Sequence, residues 1–393
     1  MNVRNLTFAL ICFVSTGPFF FWEVSIYILV FMLLIYIFTT LFTKNRLKIS
    51  LRELLTSIFI FFITLGFFII NGLALGAIVF STIIFILYLI KDDNLLKIFF
   101  LFKKLVCFFI IPSVLLWFTH VLFLGNNDFL VLGQIDTVNP YKKQDNLFYY
   151  IYPFMTIVSY DFGSAFYRFS GPFDEPGVVG SLTALFLSID KFSLSKNENK
   201  VLFIGGLISF SLVFYIIFFL YFIVNMFFNF KRSILFTLLF TVFFYWVYIK
   251  SNIGNYFYKL IFERLKYKNG DFSGNNRNSE LLNIQFESWL NTTDINVLFF
   301  GEKIVNLDGS SSLKQVLISS GLFGLTGIFC VLYILGFKRY AGKLDVHLII
   351  FVIIFFLFIY QRPDFTSIYV YVIFSAGFLI LSKPKLTFNE RAV

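Results

Sequence analysis

An arginine and two carboxylates lie within eight positions of a segment that also contains two prolines and three glycines. Arg168, Asp174 and Glu175 belong to this segment, residues 166–180, and the flanking chain is largely apolar. Charges and unpaired backbone groups are costly in hydrocarbon, so such a segment persists in a membrane protein only where it lines a wet cavity or a site. We therefore interpret it as the entrance to an active site on the outer face of a polytopic membrane protein.

Each of these charged side chains has a defined chemical use. Arginine binds phosphate oxygens in pairs through its planar fork, so Arg168, with Arg277 and Arg264 of a later polar stretch, would suit a diphosphate at the membrane surface. Glu175 would act as a general base toward a hydroxyl group. Asp174 would equally well cap the helix that follows, and either carboxylate would orient Arg168.

Composition limits the class of protein. The chain has 393 residues, of which 59% are hydrophobic and 14% are charged, with a mean hydropathy of +0.84. These values predict one integral membrane domain over residues 1–393. The net charge is +10, and the charged residues lie between apolar runs, so we expect no nucleic acid as a partner. Cys12, Cys107 and Cys330 are isolated, and no spacing typical of metal ligands occurs, so we expect neither a metal nor another cofactor.

Hydropathy predicts an all-α bundle of membrane-spanning helices. The apolar runs lie at about 6–21, 23–43, 53–70, 72–90, 104–124, 174–190, 201–228, 233–249, 313–335, 346–360 and 366–382. Two long, partly helical loops, residues 125–176 and 250–313, would lie outside the cytoplasm.

The distribution of cations predicts the topology. Basic clusters at 44–52, 91–104 and 191–200 fall in every second connection, which places them in the cytoplasm. As one helix, 201–228 would be about 42 Å long against a hydrocarbon core of about 30 Å. A break near Ser209–Ser211 keeps the later basic clusters inside. We therefore expect about 12 spans, with 11 as the alternative, and both termini in the cytoplasm.

The Arg168 segment resembles that of a known family. Residues 168–177, Arg-Phe-Ser-Gly-Pro-Phe-Asp-Glu-Pro-Gly, are similar to the Arg-x-Ser-Gly-x-x-x-Asp-Pro-Asn-like segment of the O-antigen polymerase and O-antigen ligase family. Arg277 resembles the loop arginine of that family, which precedes a tryptophan-bearing helix that here ends near Trp289.

Two later stretches extend the resemblance, which covers roughly residues 165–335. Phe300-Gly301 followed by Gly309-Ser310-Ser311 is similar to a Phe-Gly…Ser/His stretch of the family, and Ser319-Ser320-Gly321-Leu322-Phe323-Gly324 to its helix start with small residues. This chain departs from ligases at Glu175-Pro176-Gly177, and it has Ser310–Ser312 where ligases tend to place a histidine. These departures favour a polymerase of repeat units.

The resemblance implies a glycosyltransferase in the bacterial inner membrane that makes O-antigen, capsule or exopolysaccharide. Donor and acceptor would be glycans linked to polyprenyl pyrophosphate, and no metal would be needed. Arg168, Glu175 and Arg277 would be catalytic, and the substrate-binding residues would be Arg264, Asp174, Gly171, Ser310 and Lys142. The alternative to substrate binding for Lys142 is that it is an ordinary charged residue exposed to solvent. Further partners would be membrane lipid, a chain-length regulator and a flippase.

Two other functions remain as alternatives. One is an O-antigen ligase, which moves finished glycan to another acceptor. The other is a flippase or transporter for lipid-linked oligosaccharides. A transporter is expected to carry charged residues inside its spans, and the spans predicted here carry almost none, which disfavours this function.

Overall fold

A computed structural model describes residues 2–22, 24–42, 49–70, 74–122, 130–136, 147–161, 167–228, 266–268, 271–272, 280–302, 312–340, 342 and 345–383. In this part of the chain the helices are α1 (Val3–Ser15), α2 (Ser25–Phe42), α3 (Leu51–Ile70), α4 (Ala74–Leu89), α5 (Asp92–Leu122), α6 (Pro176–Ile189), α7 (Asn197–Ile208), α8 (Leu212–Phe228), α9 (Glu280–Leu290), α10 (Ile295–Phe300), α11 (Leu313–Arg339), α12 (Val346–Gln361) and α13 (Ile368–Ser382). The strands are β1 (Gly133–Asp136), β2 (Phe148–Ile151), β3 (Thr156–Val158), β4 (Tyr267–Lys268) and β5 (Asp271–Phe272).

The fold is mainly helical, as predicted. Among the described residues, α3, α5 and α11 are long and apolar enough to cross a membrane, and shorter apolar helices accompany them. These features are typical of a helical membrane protein. The number of crossings stays a prediction.

Ion pairs gather several helix termini at one end of the bundle, which we call the basic end. Arg339, at the end of α11, donates hydrogen bonds to Asp92 (2.6 Å) and to the carbonyl of Ile90 (2.7 Å). Lys338 pairs with Glu53 at 3.2 Å. The starts of α3 and α5 therefore lie beside the ends of α4 and α11.

Helix α5 begins earlier than predicted. The predicted span 104–124 places Lys97 and Lys103 in the connection before it, but both lie inside a helix of 31 residues. Its first turns have buried side chains at helical spacing, namely Leu95, Ile98, Phe99 and Phe102. This apolar face packs against the rest of the bundle, which explains why the lysine-rich stretch is helical.

The predicted break at Ser209–Ser211 is present. Phe210 has a φ of +46°, and the chain turns here between the end of α7 and the start of α8. The hydroxyl of Tyr215 donates to the carbonyl of Leu207 at 2.7 Å. Helix α7 has 12 residues, about 18 Å, so on its own it is shorter than the bilayer core of about 30 Å.

A polar cluster fastens the turn between α6 and α7 to α5. The ammonium of Lys103 contacts both the carboxylate of Asp190 and the amide oxygen of Asn199, and Lys196 pairs with Asp190 at 3.1 Å. The side chain of Lys103 is only 4% exposed. Burial alone would raise the pKa of Asp190, but the two lysines reverse this effect and hold its pKa below the usual value.

The opposite end of the bundle, where α1, α7 and α12 end and α6 and α13 begin, is called the loop end. The first predicted external loop, residues 125–176, was expected to be partly helical, whereas its described residues include the antiparallel sheet β1-β2-β3. Aromatic and β-branched residues of Phe148–Ile151 favour a strand, and the buried side chain of Tyr149 fixes which face packs inward.

Helices α9, α10 and the start of α11 form a small apolar unit around Leu282, Trp289 and Ile318. The predicted tryptophan-bearing helix is thus confirmed as α9. Gly321 interrupts α11 with a φ of +61°, and a Cβ there would lie 2.3 Å from the carbonyl oxygen of Phe299. Only glycine allows this close approach.

Candidate active site

The backbone of residues 167–175 is fastened to the helices of the loop end. The indole of Trp117, on α5, donates to the carbonyl of Tyr167 at 3.1 Å. The backbone N–H of Phe169 donates to the carbonyl of Ile208, at the end of α7, also at 3.1 Å. The segment is therefore held between two helices rather than forming an independent loop.

The next residues are fastened to the sheet and to the loop after α1. Thr156 of β3 donates its N–H to the carbonyl of Gly171 at 3.2 Å, and its own carbonyl accepts from the hydroxyl of Ser170 at 3.1 Å. The N–H of Phe19 donates to the carbonyl of Pro172 at 2.9 Å. The Arg168 segment thus joins the sheet to the helical bundle.

Gly171 provides the turn within this segment. Its φ is +56°, and the N–H of Phe173 donates to the carbonyl of Ser170 across the turn at 3.1 Å. A side chain would be strained here and would also meet the ring of Phe169 at 3.1 Å. The structure therefore gives Gly171 a turn-forming role, and its contact with substrate stays a prediction.

Burial separates the apolar from the charged side chains of the segment. Phe169 and Phe173 are fully buried, whereas Arg168, Asp174 and Glu175 are half-buried. The apolar residues anchor the segment, so the charged ones have a rigid support with some access to solvent. A site that must hold a charged group benefits from such preorganisation.

Asp174 is bound by a tyrosine of the sheet. The hydroxyl of Tyr149 donates to the Asp174 carboxylate at 2.5 Å, and it lies 3.0 Å from the Asp174 carbonyl oxygen. The ring of Tyr149 packs edge-on against Trp22, with 5.3 Å between the ring centroids. Asp174 does not occupy the N-cap of α6, which corrects the capping interpretation, because the helix begins one residue later, after Glu175.

Glu175 occupies the N-cap position of α6, yet its side chain makes no capping hydrogen bond. It instead accepts from the Nη2 atom of Arg362 at 2.5 Å. Arg362 follows α12, its side chain is 9% exposed, and its Nε atom lies 3.9 Å from Asp364. Burial alone would lower the pKa of Arg362, but Asp364 and Glu175 more than offset this and raise it. The guanidinium is therefore a permanent charge.

Sequence reasoning missed Arg362 as a site residue, although it lies in the short connection between the predicted spans 346–360 and 366–382. A signal was available, because a short outer connection between two spans is where the positive-inside rule disfavours arginine. The exception indicates that another group in the protein, here Glu175, compensates for the charge.

Asp161 is a second residue that the sequence analysis missed. It ends a short turn after β3. Burial raises the pKa of Asp161 to about 6, and the nearby positive charge of Arg168 opposes this rise. A carboxyl group that titrates near neutral pH is suited to accept a proton. Asp161 thus becomes a candidate general base beside Glu175.

Four predicted site residues lie outside the described residues, namely Lys142, Arg264, Arg277 and Ser310. Their roles, and the proximity of Arg277 to Arg168, remain predictions. Among the described residues, no group of three or more histidine, cysteine, aspartate or glutamate side chains is arranged to hold a metal ion.

Comparison of the chain with models of protein families, with curated proteins and with solved structures finds no match.

Proposed function

We propose that this protein is a membrane glycosyltransferase that joins oligosaccharide repeat units linked to polyprenyl diphosphate into a cell-surface polysaccharide. The observation that supports this most is the rigid Arg168 segment, which combines a guanidinium with carboxylates at the end of an apolar helical bundle. Such an arrangement suits a substrate with a charged diphosphate and a long apolar tail. The resemblance to the O-antigen polymerase and ligase family supports the same reaction class.

In the proposed reaction, a hydroxyl oxygen of the acceptor repeat unit forms a bond to the anomeric carbon of the donor glycan. The bond from that carbon to the diphosphate oxygen breaks, and the polyprenyl diphosphate leaves with the electron pair. The hydroxyl proton passes to a carboxylate, for which Asp161 and Glu175 are the candidates. The bonds formed and broken and the proton transfer balance without a cofactor.

Arg168 would stabilise the negative charge that develops on the leaving diphosphate. Oriented donors aimed at developing charge are commonly the largest single contribution to catalysis. We propose that Arg277 and Arg264 assist it, as the resemblance implies, and that Asp174 and Glu175 hold the segment and bind sugar hydroxyls. The protein would lie in the bacterial inner membrane, with the site facing away from the cytoplasm and both termini in the cytoplasm.

Cells that carry only the Arg168→Ala variant test the proposal. We expect single repeat units to reach the cell surface while extended polymer is lost, because the leaving group is no longer stabilised. Glycan length is measured by gel electrophoresis of surface polysaccharide. A matched control is Arg52→Ala, which removes an exposed arginine near the start of α3 and should leave chain length unchanged.

The same experiment distinguishes the alternatives. A ligase variant would accumulate full-length polymer on its lipid carrier, because only the final transfer fails. A flippase variant would retain single units on the cytoplasmic side. Either result, or full-length surface polymer in Arg168→Ala cells, would contradict the proposed polymerase.

A further inference from the structure

A cleft of about 180 Å³ opens at the basic end, between α1, α2, α4 and the start of α5. Its lining combines apolar walls with polar groups, represented by Ile37, Leu41, Ile86, Arg4, Lys91 and Asn94. Arg4, Lys91 and Asn94 come from the starts of α1 and α5, so they form the part of the cleft at the basic end, which we call its mouth.

The charge around this cleft is positive. Arg4 is half-buried and interacts electrostatically with Tyr36 in the cleft wall, and Lys91 is exposed. The carboxylate that follows Lys91 in the sequence, that of Asp92, is engaged by Arg339 at 2.6 Å. Asp93 is exposed and is not part of the lining. An anion at the mouth would therefore meet two cations.

The walls indicate that the anion carries an apolar part. Ile37 is 37% and Leu41 is 75% exposed, so the wall that α2 contributes to the cleft presents aliphatic surface. The volume is below the roughly 300–1,000 Å³ of pockets that enclose a whole small molecule. The cleft thus fits a phosphate group and the first part of a hydrocarbon chain whose remainder lies in the bilayer.

We propose that this cleft binds one anionic phospholipid, with its phosphate between Arg4 and Lys91 and an acyl chain between α2 and α4. The proposal is independent of the reaction at the loop end. Basic side chains near a membrane surface attract acidic lipids, and each contributes about fivefold in affinity. Two such cations account for a preference of about 30-fold over a zwitterionic lipid.

Native mass spectrometry of the full-length protein tests this proposal. The protein is purified in neutral detergent and mixed with equal amounts of phosphatidylglycerol and phosphatidylcholine. We expect one retained phosphatidylglycerol, and about 30-fold weaker retention by Arg4→Gln/Lys91→Gln. The matched control, Lys97→Gln/Lys200→Gln, removes two exposed lysines that do not line the cleft and should retain the lipid as the wild type does.

A second variant separates the cleft from surface charge. Ile86→Trp fills the cleft without changing charge and should also lose phosphatidylglycerol, and size-exclusion chromatography checks that each variant is folded. Equal binding of the two lipids, unchanged retention by either cleft variant, or displacement of the lipid by an equal concentration of inorganic phosphate would overturn the proposal. If the double variant does not fold, Ile86→Trp decides the outcome.

Discussion

The ion pair between Glu175 and Arg362 joins the start of α6 to the connection that follows α12. Their side chains are 29% and 9% exposed, so removal of either partner leaves a charge that is only partly solvated. Removing one partner of such a pair lowers the free energy of unfolding more than replacing both partners by apolar residues does. The pair therefore positions the Arg168 segment in addition to any role of Glu175 in proton transfer.

A double-mutant cycle tests this coupling. We expect Glu175→Ala and Arg362→Ala each to lower the free energy of unfolding, and the double variant to cost less than the sum by about 1–3 kcal/mol. Chemical denaturation in detergent micelles provides the measurement. Additive losses would mean that the two side chains do not act together.

The pKa of Asp161 predicts a pH dependence of the proposed reaction. Only the deprotonated carboxylate can accept a proton, so the rate of chain extension should rise as the pH increases through about 6. Asp161→Asn should lose this rise together with most of the activity. The control Asp136→Asn alters an exposed carboxylate of strand β1 and should keep both the pH dependence and the activity. An unchanged pH profile in Asp161→Asn would remove Asp161 from the mechanism.

At the scale of residues, the sequence identified what is unusual in local composition. Arg168, Asp174 and Glu175 were identifiable because charge beside glycine and proline is rare among apolar runs. Their partners were not, because Tyr149 and Arg362 come from elements 25 and 187 positions away, and only the fold brings them together.

Among the elements, the hairpin of α6 and α7 depends on a buried lysine. Asp190→Ala should lower the free energy of unfolding by about 3 kcal/mol, because the Lys103 ammonium would stay buried without its carboxylate. The stabilisation is present above the ordinary pKa of aspartate and is lost as the pH falls through the lowered pKa of Asp190. Denaturant titration at neutral pH measures this loss.

The matched control for that variant is Lys196→Ala. Its side chain also pairs with Asp190 but is 36% exposed, so its loss should cost less than about 1 kcal/mol. Equal costs for Asp190→Ala and Lys196→Ala would show that burial of Lys103 is not decisive.

Element boundaries were predictable where hydropathy and turn chemistry agree. The run 346–360 corresponds to Val346–Gln361, and the break at Ser209–Ser211 followed from charge balance. The first turns of α5 and the strand Phe148–Ile151 were not predicted, because both are decided by tertiary packing. A lysine-rich stretch becomes helical when one face is buried, and an aromatic run becomes a strand when neighbours supply hydrogen bonds.

For the whole molecule, the turn between α7 and α8 has a topological consequence. If α7 and α8 each count as one pass through the membrane, the stretch near Asn276 lies outside the cytoplasm. We therefore expect a periplasmic reporter fused near Asn276 to be active and one fused near Lys200 to be inactive. An inactive reporter near Asn276 would support the alternative of 11 spans and would place Arg277 on the opposite side from Arg168.

The most direct test of the proposed chemistry uses purified protein in lipid bilayers supplied with repeat units on polyprenyl diphosphate. We predict that wild-type protein releases one polyprenyl diphosphate for each repeat unit added to the glycan, and that Arg168→Ala releases almost none. Equal release by wild type and Arg168→Ala, or polymer formation without release of the lipid diphosphate, would contradict the account.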